Sequence, residues 1–363
     1  MNMGAEIPAN EGAQPSFPPQ PIRFTGTGSE YFGIWIVNLL LTIITFGIYS
    51  AWAKVRRLQY FYRHTELAGA TFDFHGNAVR ILIGRLIALA MLFVYNLSVR
   101  SHSALTLVAI AALALVMPWL LRNSFRFRLF NTSWRGLRFH FRGSVGGAYR
   151  VFLLNGFLTL ITLYLVAPFM HQRLKAYQHD NTWFGQTRCS FHARVGEFYR
   201  VYLVLLAAVI GVVLLIAFTG VGAAFKLMTQ AQQGGGRADP RAVLTALAAL
   251  YGVVILMAVS VGPLFHALIT NLIWRNTRVG EHRIDCNISP LRLVWISLSN
   301  FVLVALTLGF FMPWAAVRLA KVQLESVRLL PVTDLQEFEA AESEDLGAVG
   351  EEAATVFDFD ISL

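Results

Sequence analysis

The sequence predicts an integral membrane protein that is mainly α-helical, with about seven apolar helical segments in internal repeats and short surface β ribbons. Three observations carry that prediction. Hydrophobic residues make up 56% of the chain and charged residues only 14%, far from the balance of a soluble domain. Several runs reach the roughly 20 apolar residues that a hydrocarbon core requires. One exit signature recurs at fixed spacing behind those runs.

The apolar runs cover about 31–52, 81–98, 103–121, 149–170, 199–225, 242–270 and 293–315. The signature is a proline followed thirteen residues later by Asn-Thr: Pro118 to Asn131-Thr132, Pro168 to Asn181-Thr182, and Pro263 to Asn276-Thr277. Ala51 leads to His64-Thr65 and Pro313 to Ser326-Val327 at the same offset. Segments one, four and seven share further columns. Asn38, Asn155 and Asn300 precede the anchor by thirteen residues, Thr45, Thr162 and Thr307 by six, and Arg56, Arg173 and Arg318 follow it by five.

These columns divide the chain. Residues 1–21 form a proline-rich tail, expected to be disordered. A first membrane repeat of three segments covers 22–136, a second covers 137–281, and a partial third with one segment covers 282–332. Residues 333–363 form an acidic tail, also expected to be disordered, and Gly234-Gly235-Gly236 reads as a flexible connector. Short polar–apolar alternations lie between the helices: Ile22–Phe24, Thr71–Phe74, Arg138–Phe141, Arg188–Phe191 and Arg283–Cys286. Gly69, Gly136, Gly185 and Gly280 precede four of them, where a turn is wanted.

The charge is split. All 30 Lys and Arg residues lie before residue 333, whereas ten of the 21 acids lie between Asp334 and Asp360. The basic residues cluster at segment ends, where anionic headgroups lie. Arg56, Arg85, Arg126, Arg128, Arg173 and Arg318 are the candidate headgroup contacts. Membrane lipids, anionic ones above all, are therefore the expected partners. Nucleic acid is not expected, since no binding module accompanies the charge, and protein partners are not specified. The acidic tail is expected to compete with anionic lipid for basic ribbons that include Arg138.

Topology can be counted in two ways. If all seven segments cross, the basic residues divide 18 to 11 between the two sides. If segments one, four and seven dip in and return, the division is 25 to 4, which satisfies the positive-inside rule far better. Against dipping stands the helical face Asn38, Thr42, Thr45, Tyr49, at i, i+4, i+7 and i+11, which predicts an unbroken spanning helix.

That opening stretch, Phe24-Thr25-Gly26, Tyr31-Phe32-Gly33, Asn38 to Thr42 and Thr45 to Arg56, resembles the YjgN-like family of bacterial inner-membrane proteins. The resemblance runs from about residue 22 to 330, with Ala51 in place of the usual proline. It implies a place in the bacterial inner (cytoplasmic) membrane, which the repeated apolar runs make multi-pass, and it adds no catalytic residues.

The candidate intramembrane polar site is the repeated stripe Asn38, Thr42, Thr45, Asn155, Thr159, Thr162, Asn300 and Thr307. Such groups can bind a polar solute, or they can join helices by hydrogen bonds. Arg85 lies inside an apolar run and needs a partner or an interface. His75, His140 and His192 lack metal-ligand spacing, and Cys189 and Cys286 form no CxxC pair, so neither metal nor cofactor is expected. No nucleophile elbow or phosphate loop occurs in a suitable context, so no enzyme activity is expected. Two functions remain open: a transporter of a small solute or lipid through the polar stripe, and a non-catalytic membrane scaffold or assembly partner that binds anionic lipid.

Overall fold

The structure, a computed structural model, describes residues 17–100, 105–233 and 240–335. Much of both expected tails and the glycine connector lie outside the described residues. Each alternating run is a strand of up to five residues: β1 (Gln20–Phe24), β3 (Ala70–Phe74), β5 (Leu137–Phe141), β7 (Thr187–Phe191) and β9 (His282–Cys286). Each Asn-Thr exit opens a further short strand: β2 (Thr65–Leu67), β4 (Thr132–Trp134), β6 (Thr182–Phe184), β8 (Thr277–Val279) and β10 (Val327–Leu330). The ten strands pair antiparallel in chain order, and β10 returns to β1, closing a barrel.

Closure removes every sheet edge. Tight turns join each even strand to the next odd one. Ala68-Gly69 and Arg135-Gly136 have positive φ at both central residues, the mirror-image turn that suits strand twist. Alternation then points one face of every strand inward. Leu67, Trp134, Leu137 and Phe184 are buried together, with Ile22, Phe72, Phe139, Val279 and Leu329 packed against them. The barrel interior is a filled apolar core.

Each odd strand connects to the next even strand through a pair of helices. The pairs are α1 (Gly28–Ile44) with α2 (Ser50–Arg63), and α3 (Ala78–Arg100) with α4 (Leu105–Phe130). In the third pair α5 (Val145–Ala148), a π-helical turn (Tyr149–Leu154) and α6 (Asn155–Ile161) form one arm, and α7 (Ala167–Asp180) the other. Then follow α8 (Val195–Gln233) with α9 (Pro240–Arg275), and α10 (Pro290–Leu306) with α11 (Met312–Glu325). Neighbouring arms pack in sequence order, and α11 packs back on α1.

Helix exits and strands are tied together five times in the same way. The amides of Thr25, His75, Arg142, His192 and Asn287 donate to the carbonyls of His64, Asn131, Asn181, Asn276 and Ser326, at 2.8 to 3.0 Å. The exit side chains cap the helix behind them. Asn131, Asn181 and Asn276 donate through Nδ2 to the carbonyl four residues back. Thr65, Thr132, Thr182 and Thr277 do so through Oγ1. Carbonyls left over at a helix C-terminus are thereby satisfied.

This architecture corrects the expectation of about seven helical segments with short surface ribbons. The ribbons form a closed ten-strand barrel. Because each helical pair joins strands that are neighbours in that barrel, it must leave from and return to the same rim. Three described helical stretches are long and apolar enough to cross a membrane: Ala78–Arg100, Leu105–Phe130 and Val195–Leu214. Segments one, four and seven instead break near their ends. Phe46-Gly47, Leu163-Tyr164 and Leu308-Gly309 all have positive φ. The amides of Gly47, Tyr164 and Gly309 each donate at 2.8 Å to the carbonyl five residues back, at Thr42, Thr159 and Val304. That is the 6→1 closure of a Schellman motif, and the chain turns back after it. With 17 residues, α1 reaches only about 25 Å at 1.5 Å per residue, against roughly 30 Å of hydrocarbon.

Candidate functional site

The polar stripe lies on the short arms, and local bonding explains most of it. Thr42, Thr45, Thr159, Thr162 and Thr307 each donate Oγ1 to a carbonyl four residues back on their own helix. Thr45 and Thr307 also accept from the amides of Tyr49 and Phe311, across the turn into the returning arm. These hydroxyls satisfy backbone groups at the break. The tips beyond them are apolar: Phe46, Leu163 and Leu308 are among the most exposed side chains.

The three asparagines are buried, but no hydrogen bond joins one to another among the described residues. Asn300 faces its own returning arm. Its Oδ1 accepts from Arg318 Nη1 at 2.9 Å, and its Nδ2 donates to the Ala315 carbonyl at 3.3 Å. Asn38 Oδ1 is buried without a hydrogen-bond partner. Asn155 sits where the π-helical turn passes into α6, and its carbonyl accepts from Thr159 at 2.8 Å.

The candidate headgroup arginines have different surroundings. Arg56 and Arg173 stand over the rings of Tyr49 and Phe169, at 5.9 and 5.2 Å. Arg126 and Arg128 are exposed on the last turns of α4. Arg318 bonds Asn300 and Ser299. Arg85 reaches out of α3 to donate to Ser50 Oγ, just past the tip turn of the first pair. The partner that an arginine in an apolar run requires is thus a neighbouring arm.

Two open cavities lie near the barrel rim. One, of about 480 Å³, lies between α1 and α2 and includes Gly33, Val37, Arg56 and Arg63 in its lining. The other, of about 710 Å³, lies on the barrel flank beside Thr71, His75, Ser133 and Arg138. Arg63 donates to Asp73 at 2.9 Å. Burial raises the Asp73 carboxyl, but the Arg63 and Phe74 hydrogen bonds outweigh it and hold the group below its ordinary value. Both cysteines are buried, Cys286 among Ala267, Ile288 and Leu293, and burial pushes the Cys189 thiol up to about 12 and the Cys286 thiol up to about 11.

Sequence reasoning missed another repeated column, Phe-x-Gly at the strand-to-helix junction: Phe24-Thr25-Gly26, Phe74-His75-Gly76 and Phe141-Arg142-Gly143. Each ring lies over its own glycine, where an added Cβ would come within 2.8, 2.3 and 2.6 Å of it. The signal was present in those three copies, and the fourth, Phe191-His192-Ala193, breaks the column. Arg122 and Gln172 hold the third and fourth junctions through the carbonyls of Gly143 and Ala193.

Residues 19–356 match a protein family described as "Bacterial protein of unknown function (DUF898)". The chain is 24% identical over 336 residues to "Inner membrane protein YjgN" of Salmonella typhimurium, covering 81% of this chain and 84% of that protein. It is 31% identical over 135 residues to the protein of the same name from Escherichia coli O157:H7, covering 37% of this chain and 34% of the relative. The strain K12 protein is 32% identical over 131 residues, covering 36% and 33%. No solved structure matches the chain.

Proposed function

The chain belongs to the DUF898 family of bacterial proteins, and from that premise we propose that it is a multi-pass inner-membrane protein working as a non-catalytic, lipid-binding scaffold. The names of its relatives support the inner membrane. The 25-to-4 division of basic residues supports a barrel on the cytoplasmic face, with all five helical pairs descending from it. The long pairs fix the ring in the bilayer, and the short pairs end in apolar tips within it. Basic residues at the feet of the arms meet anionic headgroups.

One observation carries the reading: the barrel axis is filled by Leu67, Trp134, Leu137 and Phe184 with their neighbours. A through-path would have to leave that axis. The hydroxyls of the polar stripe are bonded to their own backbone, which supports a role in closing helices over one in passing a solute.

The test is a paired measurement. Protein extracted directly into native-lipid nanodiscs is analysed for lipid content, and cells with and without the protein are compared for metabolite uptake. Enrichment of phosphatidylglycerol over bulk membrane with unchanged uptake is the expected result. A solute-specific uptake defect with lipid content equal to bulk would replace this reading with transport.

A further inference from the structure

The first helical pair differs from its counterparts at two positions that shape one cavity. Aligned on the asparagine column, Gly33 corresponds to Arg150 in the third pair and Trp295 in the fifth. Arg63 corresponds to Asp180 and Glu325. The first pair thus has no side chain where the others are bulky, and a cation where the others carry an acid. A Cβ added at Gly33 would meet nothing within 4 Å, so the space is open.

Arg56, like Arg173 in the third pair, stands over a ring and does not bond the asparagine of its own pair. Its counterpart Arg318 is held by Asn300 at 2.9 Å. In the first pair Asn38 Oδ1 has no partner, and Arg56 lines the cavity. The other charges around the cavity are accounted for: Arg63 pairs with Asp73, and His64 lies 3.9 Å from Glu30. Arg56 makes no ion pair among the described residues; it stands over the Tyr49 ring at 5.9 Å and lines the open space. Gln59 lines the same wall; one of its two amide hydrogens goes to the Phe74 carbonyl at 3.3 Å and the other is left for a ligand, and Ile34 and Val37 form an aliphatic wall on α1.

We infer that this cavity of about 480 Å³ binds one anionic phospholipid, with its phosphodiester on Arg56 and Gln59 and an acyl chain against Ile34 and Val37. The depth is right for a headgroup. Gly33 is the sixth residue of α1, roughly 8 Å from the helix start at 1.5 Å per residue, and His64 abuts the barrel. The cationic wall would also accept a soluble phosphate ester, but that ligand would leave the aliphatic wall without a role. The inference rests on the lipid-binding reading above and gives it a defined site.

Native mass spectrometry of detergent-purified protein titrated with phosphatidylglycerol tests the assignment. Wild type is expected to keep one lipid adduct that outlasts the rest. Gly33→Trp, which restores the fifth pair's residue, and Arg56→Gln should each weaken that adduct at least tenfold without shifting the melting temperature. Glycerol 3-phosphate and inorganic phosphate should not displace it. Retention of the adduct by Arg56→Gln overturns the site, as does displacement by either soluble phosphate at equal concentration. Bulk lipid enrichment is read separately in nanodiscs. If enrichment is absent while the single adduct persists, the scaffold reading fails and the site stands. Enrichment without the adduct removes the site alone.

Discussion

Replacing Gly76 by alanine adds a single methyl group and should cost as much stability as a core mutation. Gly76 follows β3 by two residues, and the ring of Phe74 lies directly over it. An ideal Cβ would sit 2.3 Å from Phe74 Cε1 and 2.6 Å from Cζ, where carbon atoms in contact prefer roughly 3.5–4.0 Å. The ring would have to retreat by about an ångström to restore that spacing. It has little room, because Phe74 is 1% exposed and packs on Ala51, Val55 and Ala78. Overpacking of this kind costs about 1–3 kcal/mol. Two internal controls isolate the cause. Gly84, on α3, has nothing within 4 Å of its Cβ position, so Gly84→Ala should be neutral or stabilising by up to about 1 kcal/mol. Ala193 stands naturally in the fourth copy of the column, where Phe191 stacks on His179 with ring centroids 5.4 Å apart. The assay is thermal unfolding in detergent micelles followed by tryptophan fluorescence. Gly76→Ala should melt several degrees below wild type and Gly84→Ala at or above it. Equal midpoints for Gly76→Ala and wild type would refute the argument that ring-over-glycine contact holds these junctions.

Thr71 and Arg188 are exposed on the barrel, so cysteines placed there should both resist an impermeant maleimide in intact cells and both react after lysis; labelling of one alone restores alternately crossing segments. Cys189 and Cys286 should stay unlabelled in the folded protein at neutral pH, because both are buried and burial pushes their thiols up to about 12 and about 11; rapid modification without unfolding would show that these sites are not closed. His282 is buried and accepts from the Val332 amide through Nδ1 at 3.2 Å. Burial lowers its pKa below the ordinary 6.5 despite the opposing charge of Glu281. The unfolded chain therefore binds more protons below about pH 6.5, so this contribution is intact above that pH and is lost as pH falls further. Melting temperature should drop from pH 7 toward pH 5 in wild type and drop less in His282→Asn, and parallel profiles for the two proteins would remove His282 as the cause.

Some of this was legible in the sequence, and the rest was hidden for identifiable reasons. The Asn-Thr exits were visible because capping demands those side chains at fixed distance from the helix end. The five alternating runs were visible because a two-residue period survives even in five residues. The even strands escaped notice because Thr65–Leu67 or Thr277–Val279 is too short to show any period, and a pairing that closes β10 onto β1 is set by residues more than 300 positions apart. The helical breaks misled for a different reason. Asn38, Thr42 and Thr45 do share a helical face, but Thr45 ends α1 and Tyr49 belongs to the start of α2. In the third pair the left-handed residues are Leu163 and Tyr164, with no glycine to announce the turn. Of the candidate site, the arginine and asparagine columns were readable. What could not be read was that Arg318 turns in to Asn300 while Arg56 does not bond Asn38.

That last difference bears on how the molecule can move. Every helical pair is tied to the barrel at its feet by the repeated amide-to-carbonyl bond at 2.8 to 3.0 Å, and each tie lies beside a ladder that has no free edge. Tilting an arm at its foot would break that bond and leave a donor and an acceptor unsatisfied, which is costly. Freedom is therefore concentrated at the tips, where only local turns hold the chain, and in the spacing between the two arms of a short pair. In the fifth pair the Arg318–Asn300 bond fixes that spacing across the gap. In the first pair the equivalent bond is absent, and the cavity takes its place. A ligand there would restore the missing cross-link with its own phosphate, stiffening a ring that is otherwise closed on all sides. On the scaffold reading proposed above, occupancy of that gap would set the spacing between the two arms of the first pair.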